Sequence, residues 1–308
     1  MVFARPLNNL YVLAIINIYG RNVINADGDV WRFHRRVTGP VFSEKINQVV
    51  WDEGITQARY MAQSWQACSE TSDDVRISSL GDDALRLALN VITGSAYGCP
   101  LGWDENPPCA INTTLSYHQS MEQLTAHLMH IFLTPHWLLR MAKKDSNWGR
   151  AWEAFNAFRG YMRGMLDREC ERLATGEIVE DNLMTALIYA AAYEDEKEER
   201  ALSPQEVMGN AFILLFAGHE TTANTLHYAL LVLAQHPHVQ QTLLDEIDEV
   251  YARAKEQGRD TLEYERDFNR ARWAFAIMVS SVLPGIVIDS MLSFCISRRP
   301  SEFTHQLE

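Results

Sequence analysis

The sequence predicts a mainly α protein. Three observations carry that prediction. Apolar residues recur every three or four positions over long stretches, and alternating strand patterns are scarce. Ser203-Pro204-Gln205-Glu206 also writes a helix start, with an N-cap hydroxyl, a proline at the first helical position and an acid three residues on. At 308 residues the chain is long enough for one large domain with a substantial core.

The elements follow in order. A helix and turn span Asp29 to Glu44 and carry the basic cluster Trp31, Arg32, His34, Arg35 and Arg36. Helical periodicity then covers 45–67, 80–97, 112–132 and 147–173. The loop Gly98–Pro108 breaks the pattern with glycines and prolines. The charge run 194–200 reads as a solvated loop or helix end. The clearest helix runs over 203–235, about 50 Å at 1.5 Å rise per residue. His236-Pro237 marks its stop and the next start.

Composition excludes several function classes. Lysine and arginine number 27 against 40 acids, a formal net charge of -13, which argues against a nucleic-acid partner. Five cysteines, Cys68, Cys99, Cys109, Cys170 and Cys295, form no C-x-x-C pair, so a reducing compartment is the simplest reading. The apolar run Leu10–Ile18 falls far short of the roughly twenty residues that cross a bilayer. It lacks a small-residue cleavage site, so neither an anchor nor an export signal is expected. His127, His130 and His136 have no acid or thiol at ligand spacing and read as ordinary polar positions. Nucleophile elbows and phosphate loops are absent.

The long helix holds the chemistry. Val207–Ala217 and Leu226–Ala234 are apolar nearly all round, so the helix is expected to run through the middle of a fold. Its centre, Gly218-His219-Glu220-Thr221-Thr222, is polar. A buried acid and hydroxyl there need satisfaction. Thr221 can bond back to the carbonyl of Ala217 and bend the helix. Gly218 would let a flat ligand approach the backbone. Spacing alone leaves two readings open: a groove beside a hydroxyl and a carboxylate, or a kinked helix with satisfied polar groups.

Ala217-Gly218-His219-Glu220-Thr221-Thr222 resembles the oxygen-activation motif of the cytochromes P450, the haem-thiolate monooxygenases. Upstream, Trp31-Arg32-Phe33-His34-Arg35-Arg36 resembles that family's W-x-x-x-R helix, which holds the haem propionates. Asp267–Trp273 resembles the segment before the family's next helix. The three stand in the family's order, from about Asn22 to Met278, in the style of a eukaryotic microsomal member, fungal in character.

The resemblance implies a partial cytochrome P450 fold with a long central oxygen-activation helix. It implies haem as cofactor, an apolar small-molecule substrate oxidised with O2, and electrons from an NADPH-cytochrome reductase. Glu220 and Thr221 take the catalytic positions. Trp31, His34, Arg35, Ala217 and Gly218 take the cofactor positions. Asn210, Ile213 and Leu214, one or two turns earlier, are the expected pocket lining. The family's usual location is the endoplasmic reticulum membrane.

The family pattern ends after Met278. Neither its E-x-x-R helix nor its glycine-containing loop with the iron-binding cysteine follows. The strings Glu169–Arg172 and Glu263–Arg266 read as chance, and Cys295 has no glycine around it. The expectation is therefore a partial domain over 1–278 that lacks the proximal haem-binding region and is inactive by itself. The tail 279–308 reads as translated intron or an alternative 3′ end, because GTA-AGT, the splice-donor consensus, encodes Val279-Ser280; the competing reading is a true C-terminal variant. The competing expectation is a catalytically dead helical protein that binds an apolar ligand or a partner.

Overall fold

The computed structural model describes residues 17–68, 77–108, 114–177, 182–192 and 200–282, with 278–282 described by backbone alone. Cys109, Cys295, the first part of the apolar run Leu10–Ile18, nearly all of the charge run and the tail beyond 282 lie outside the described residues. In chain order the helices are α1 (Gly28–Thr38), α2 (Glu44–Ala67), α3 (Leu80–Tyr97), α4 (Tyr117–Ala126), α5 (Leu128–Leu133), α6 (His136–Met141), α7 (Asn147–Ala174), α8 (Leu183–Ala192), α9 (Pro204–Gln235), α10 (Pro237–Glu256), α11 (Tyr264–Asp267) and α12 (Arg272–Val282). No strand forms among the described residues. None of these helices is long and apolar enough to cross a membrane.

The chain divides into two compact units. The first comprises residues up to Ile77 with Arg86–Glu220, and the second Ser78–Leu85 with the described residues from Thr221 onward. Helices α3 and α9 each contribute to both.

The first unit is built on α7. Ala151, Ala154, Phe155, Phe158, Met162 and Met165 recur at three- and four-residue spacing and are buried as one stripe. Ser146 caps the helix by accepting from the Gly149 N–H at 3.1 Å. Helices α4, α5, α6 and α8 pack on it. Tyr117 stacks on Phe158 with ring centroids 5.6 Å apart, and Tyr19 on Phe155 at 4.6 Å. Tyr97 donates to the carbonyl of Ala211 and so ties α3 to α9. Gly209 is small for a reason: a Cβ there would sit 2.4 Å from the carbonyl oxygen of Gly20. The segment Gly20–Arg21 therefore crosses directly over α9.

One sequence expectation needs correction here. The helix expected over 112–132 is two helices, because His127 leaves helical backbone (φ -108°, ψ 14°) between α4 and α5. The string Glu169–Arg172, set aside as a chance match to the family motif, forms a local lock at the end of α7 that the sequence reading did not anticipate. Glu169 is buried, and its carboxylate accepts from Arg172 at 3.0 Å and from the Asn182 amide at 3.4 Å.

The second unit is small. Ala229 of α9 meets Val239 and Ile277 in a short apolar cluster. The Glu246 carboxylate of α10 accepts from the backbone N–H of Arg272 and Trp273, so a side chain 26 residues away caps α12. Arg259 donates to Asp267 at 2.7 Å and to its other oxygen at 3.2 Å. These bonds hold the Asp267 carboxyl below the usual range despite burial. The α9 segment 226–234 was expected to be enclosed. Tyr228 and Leu231 are exposed instead, since the cluster covers only the Ala229 side.

Candidate haem site

Helix α1 presents two faces. Phe33, His34 and Thr38 are buried, whereas Arg32, Arg35 and Arg36 are exposed and Trp31 is half-buried. Trp31 and Arg35 stand one turn apart and share a face. Arg35 has no partner among the described residues, so its guanidinium is available to an anion.

His34 departs from the sequence reading, which gave it to a propionate. Its side chain is 0% exposed and both ring nitrogens are engaged. Nδ1 lies 2.9 Å from Asn210 Nδ2, and Nε2 lies 3.3 Å from Glu206 Oε1. Asn210, expected to line the substrate pocket, is spent in the same cluster. Its Oδ1 accepts from the Val23 N–H at 2.8 Å, and its Nδ2 donates to the Glu206 carbonyl at 2.8 Å. Ile213 is buried, and Leu214 is half-buried against the apolar core.

Glu206 is the centre of this cluster. The expected capping box is present: the Ser203 N–H donates to Oε2 at 3.0 Å, and the Glu206 N–H donates to Ser203 Oγ at 3.3 Å. Arg200 pairs with Oε1, and its guanidinium lies 5.2 Å over the Phe33 ring. Arg200 therefore does not belong to a purely solvated charge run. Burial raises the Glu206 pKa, but bonds from Ser203 and His34 and the Arg200 charge outweigh it and leave the carboxyl below the usual range. The sequence reading missed this cluster. The spacing Glu206-x-x-x-Asn210 was its signal, since it puts two polar groups on one buried helical face.

Further along α9, within the first unit, Ala217 is exposed and His219 is buried. A Cβ on Gly218 would meet Ile92 Cδ1 at 3.0 Å, so this glycine lets helix α3 approach α9 closely. Glu220 is half-buried and makes no hydrogen bond or ion pair among the described residues. In the second unit the helix continues with Thr221 and Thr222, both exposed. The polar centre was expected to be buried, and its hydroxyls carry no desolvation cost here. Back-bonding of the kind expected is seen at Thr225, which donates to the Thr221 carbonyl at 2.8 Å.

His118 on α4 lies near His219, within the first unit. Its Nε2 is 2.8 Å from Asn90 Oδ1. Burial, then the nearby charges of Arg86 and His219, hold its pKa at about 4 against an ordinary 6.5. His127 and His130 pack edge to face, with centroids 5.4 Å apart, and no group of three potential ligands forms among the described residues. A cavity of about 610 Å³ lies elsewhere in the first unit, with Tyr19, Phe155, Leu166, Ile188 and Val207 in its wall.

The family model for cytochrome P450 matches residues 4–265. The chain belongs to the cytochrome P450 family. It is 31% identical over 302 residues to cytochrome P450 monooxygenase ORF6 of Penicillium roqueforti, covering 93% of this chain and 50% of that protein. It is 31% identical over 305 residues to cytochrome P450 monooxygenase prx9 of Penicillium rubens, with the same coverage. The chain thus spans about half the length of these relatives. The crystal structure of the cytochrome P450DA heme domain matches with a TM-score of 0.65 at 20% identity, over 90% of this chain and 55% of that one, which speaks to fold alone.

As a P450, the chain has haem as its family cofactor, and the residues present fit one part of that group's surroundings. Arg35 is an unpartnered exposed cation beside the half-buried Trp31, as a haem carboxylate requires. Ala217 offers an exposed methyl-sized surface, as a flat macrocycle requires. No described cysteine is assigned to the iron: Cys99 is buried in the core, and Cys68, just past the end of α2, and Cys170 on α7 are exposed.

Proposed function

We propose that the chain supplies the oxygen-side helix and the carboxylate-binding helix of a haem-dependent monooxygenase. That enzyme oxidises an apolar small molecule with O2 and takes electrons from an NADPH-cytochrome reductase. The supporting observation is the availability of Arg35 and Trp31 on one face of α1 while Phe33, His34 and Thr38 are buried and Arg32 pairs with Asp29.

When bound, haem supplies the iron at which dioxygen is activated. In this reading Arg35 donates to a haem carboxylate and the Trp31 indole N–H adds a second donor. Ala217 keeps the approach to α9 free of bulk. The Thr221 hydroxyl holds a proton at Oγ1. Glu220, without a partner, takes up and gives back protons at its carboxylate.

The test is a haem titration of the purified chain followed by a reduced CO-difference spectrum. Saturable haem uptake that is weakened in Arg35→Ala supports the reading, and full absence of haem uptake overturns it. In a full-length enzyme carrying this segment, Thr221→Ala should raise oxygen consumed per product formed. Unchanged coupling would remove Thr221 from the mechanism.

A second reading, a haem-free helical protein for an apolar ligand, has the 610 Å³ cavity in its favour, since its volume suits a small molecule. Saturable binding of an apolar fluorophore without haem uptake would select it.

For location, we propose contact with a membrane surface. Met129, Leu133, Trp137, Met141 and Trp148 are exposed on α5, α6 and the first turn of α7, interspersed with exposed Arg140, Lys143 and Lys144. Flotation with anionic vesicles tests this, and loss of flotation in Trp137→Ser/Met141→Ser is the expected result. Absence of wild-type flotation would sink it.

A further inference from the structure

Helix α1 has eleven residues and no side-chain hydrogen bond at its N-cap. A helix this short is marginal alone, so its orientation must come from tertiary contacts. The polar part of those contacts converges on His34. The Asn210 amide cannot turn without loss, because backbone groups fix both of its ends: the Val23 N–H at Oδ1 and the Glu206 carbonyl at Nδ2. With Nδ2 the nearer atom at 2.9 Å, His34 Nδ1 is the acceptor and Nε2–H donates to Glu206. Glu206 is in turn fixed by Ser203 and Arg200. Both partners are thus immobilised before His34 meets them.

This has a geometric consequence. Successive helical residues are rotated by about 100°. A side chain locked inward at 34 therefore fixes where residue 35, and residue 31 one turn before it, point. We propose that His34 is a positioning residue: by gripping Asn210 and Glu206 it sets the rotation of α1 and holds Arg35 and Trp31 on the face that receives the haem carboxylates. The proposal rests on the haem reading above. It adds that the recognition helix is registered against the start of α9, through contacts 172 and 176 residues apart in sequence.

The test compares the wild-type chain with H34Q, H34L, R35A and H34L/R35A. Gln keeps one donor toward Glu206, and Leu keeps none. Hydrogen exchange over 28–38 is measured without haem, with α7 as the internal control. H34L should speed exchange in α1 by about ten- to a hundredfold, the worth of one buried bond to a charged acceptor, and H34Q by less. Exchange in α7 should stay unchanged. Haem affinity, read from the Soret band, should fall in H34L and in R35A, and H34L should cost less in the R35A background than in the wild type, the remainder being the share of Trp31. A purely structural His34 would lower affinity equally in both backgrounds.

Unchanged α1 exchange in H34L overturns the proposal, as does an undiminished effect of H34L when Arg35 is already gone. If H34L does not fold, H34Q/R35A carries the same cycle. A wild-type chain that takes up no haem overturns the functional reading and the Arg35 part of this one. The exchange result still decides whether His34 holds α1.

Discussion

Lowering the pH should destabilise the first unit through His118, and a single substitution should remove that dependence. His118 is largely buried on α4, with Nε2 bonded to Asn90 Oδ1 at 2.8 Å. Asn90 in turn donates to Gln57 Oε1 at 3.0 Å, and Gln57 to the Leu101 carbonyl at 2.6 Å. The chain of amides accepts a proton donor from His118 and offers nothing to a second charge. Its pKa is held at about 4 against 6.5 in an unfolded chain. The folded state therefore disfavours protonation. Between those two values the unfolded chain binds the proton and the folded chain does not, so stability falls as pH falls. At 1.36 kcal/mol per pH unit the loss amounts to about 3 kcal/mol and levels off near the lower value. His118→Gln keeps a donor for Asn90 and cannot be protonated. Urea unfolding of both proteins, followed by far-UV circular dichroism between pH 7 and 4, should show the wild type losing about 3 kcal/mol more than the variant. Other acid-sensitive groups act in both proteins and cancel in the difference. Parallel curves would refute the reasoning.

Two further outcomes rest on packing and pairing. Gly209→Ala should cost about 3 kcal/mol in chemical denaturation, because its Cβ would meet backbone oxygens of Gly20 and Arg21 at 2.4 and 2.6 Å, and backbone cannot rotate away. Gly54→Ala, with nothing within 4 Å on a helix interior, should instead stabilise by about 0.5–1 kcal/mol; equal effects at the two sites would undo the argument. Glu169→Gln should lower stability by about 2 kcal/mol, since a charge-assisted bond to Arg172 at 3.0 Å is lost from a buried site; a neutral result would show that the pair is no lock.

Helices α2, α3, α7 and α9 were legible because each is long enough for the 3.6-residue period to declare itself. Helix α6, six residues after Pro135, is too short for any period. Helix α8 is short and nearly uniformly apolar, so no face stands out. The break at His127 was hidden because apolar spacing continues across it. At the site, sequence pattern identified the helices and motifs but not the direction of each side chain. His34 stands between Phe33 and Arg35 in an arginine-rich run and reads as one more cation. Only the fold shows that it turns inward to groups more than 170 residues away. At Gly218 a missing side chain signals close approach but not what approaches, and the fold shows Ile92 on the side a Cβ would take.

The same geometry explains why Glu206 is worth its burial. A carboxylate at the third position of a helix needs only Ser203 to complete a capping box. Here its second oxygen faces Arg200 and His34, so one ionised group closes the N-terminus of α9, holds the cation over Phe33 and receives the proton of the α1 latch. The depressed pKa has a definite sign: the stabilisation is complete above the ordinary carboxylate range and is lost as pH falls through the lower folded value. Acid that protonates Glu206 releases cap, ion pair and latch together, and Arg35 loses its orientation without itself changing charge. Haem retention by this helix is therefore expected to weaken in acid before Arg35 could contribute any titration of its own, since a guanidinium stays charged throughout.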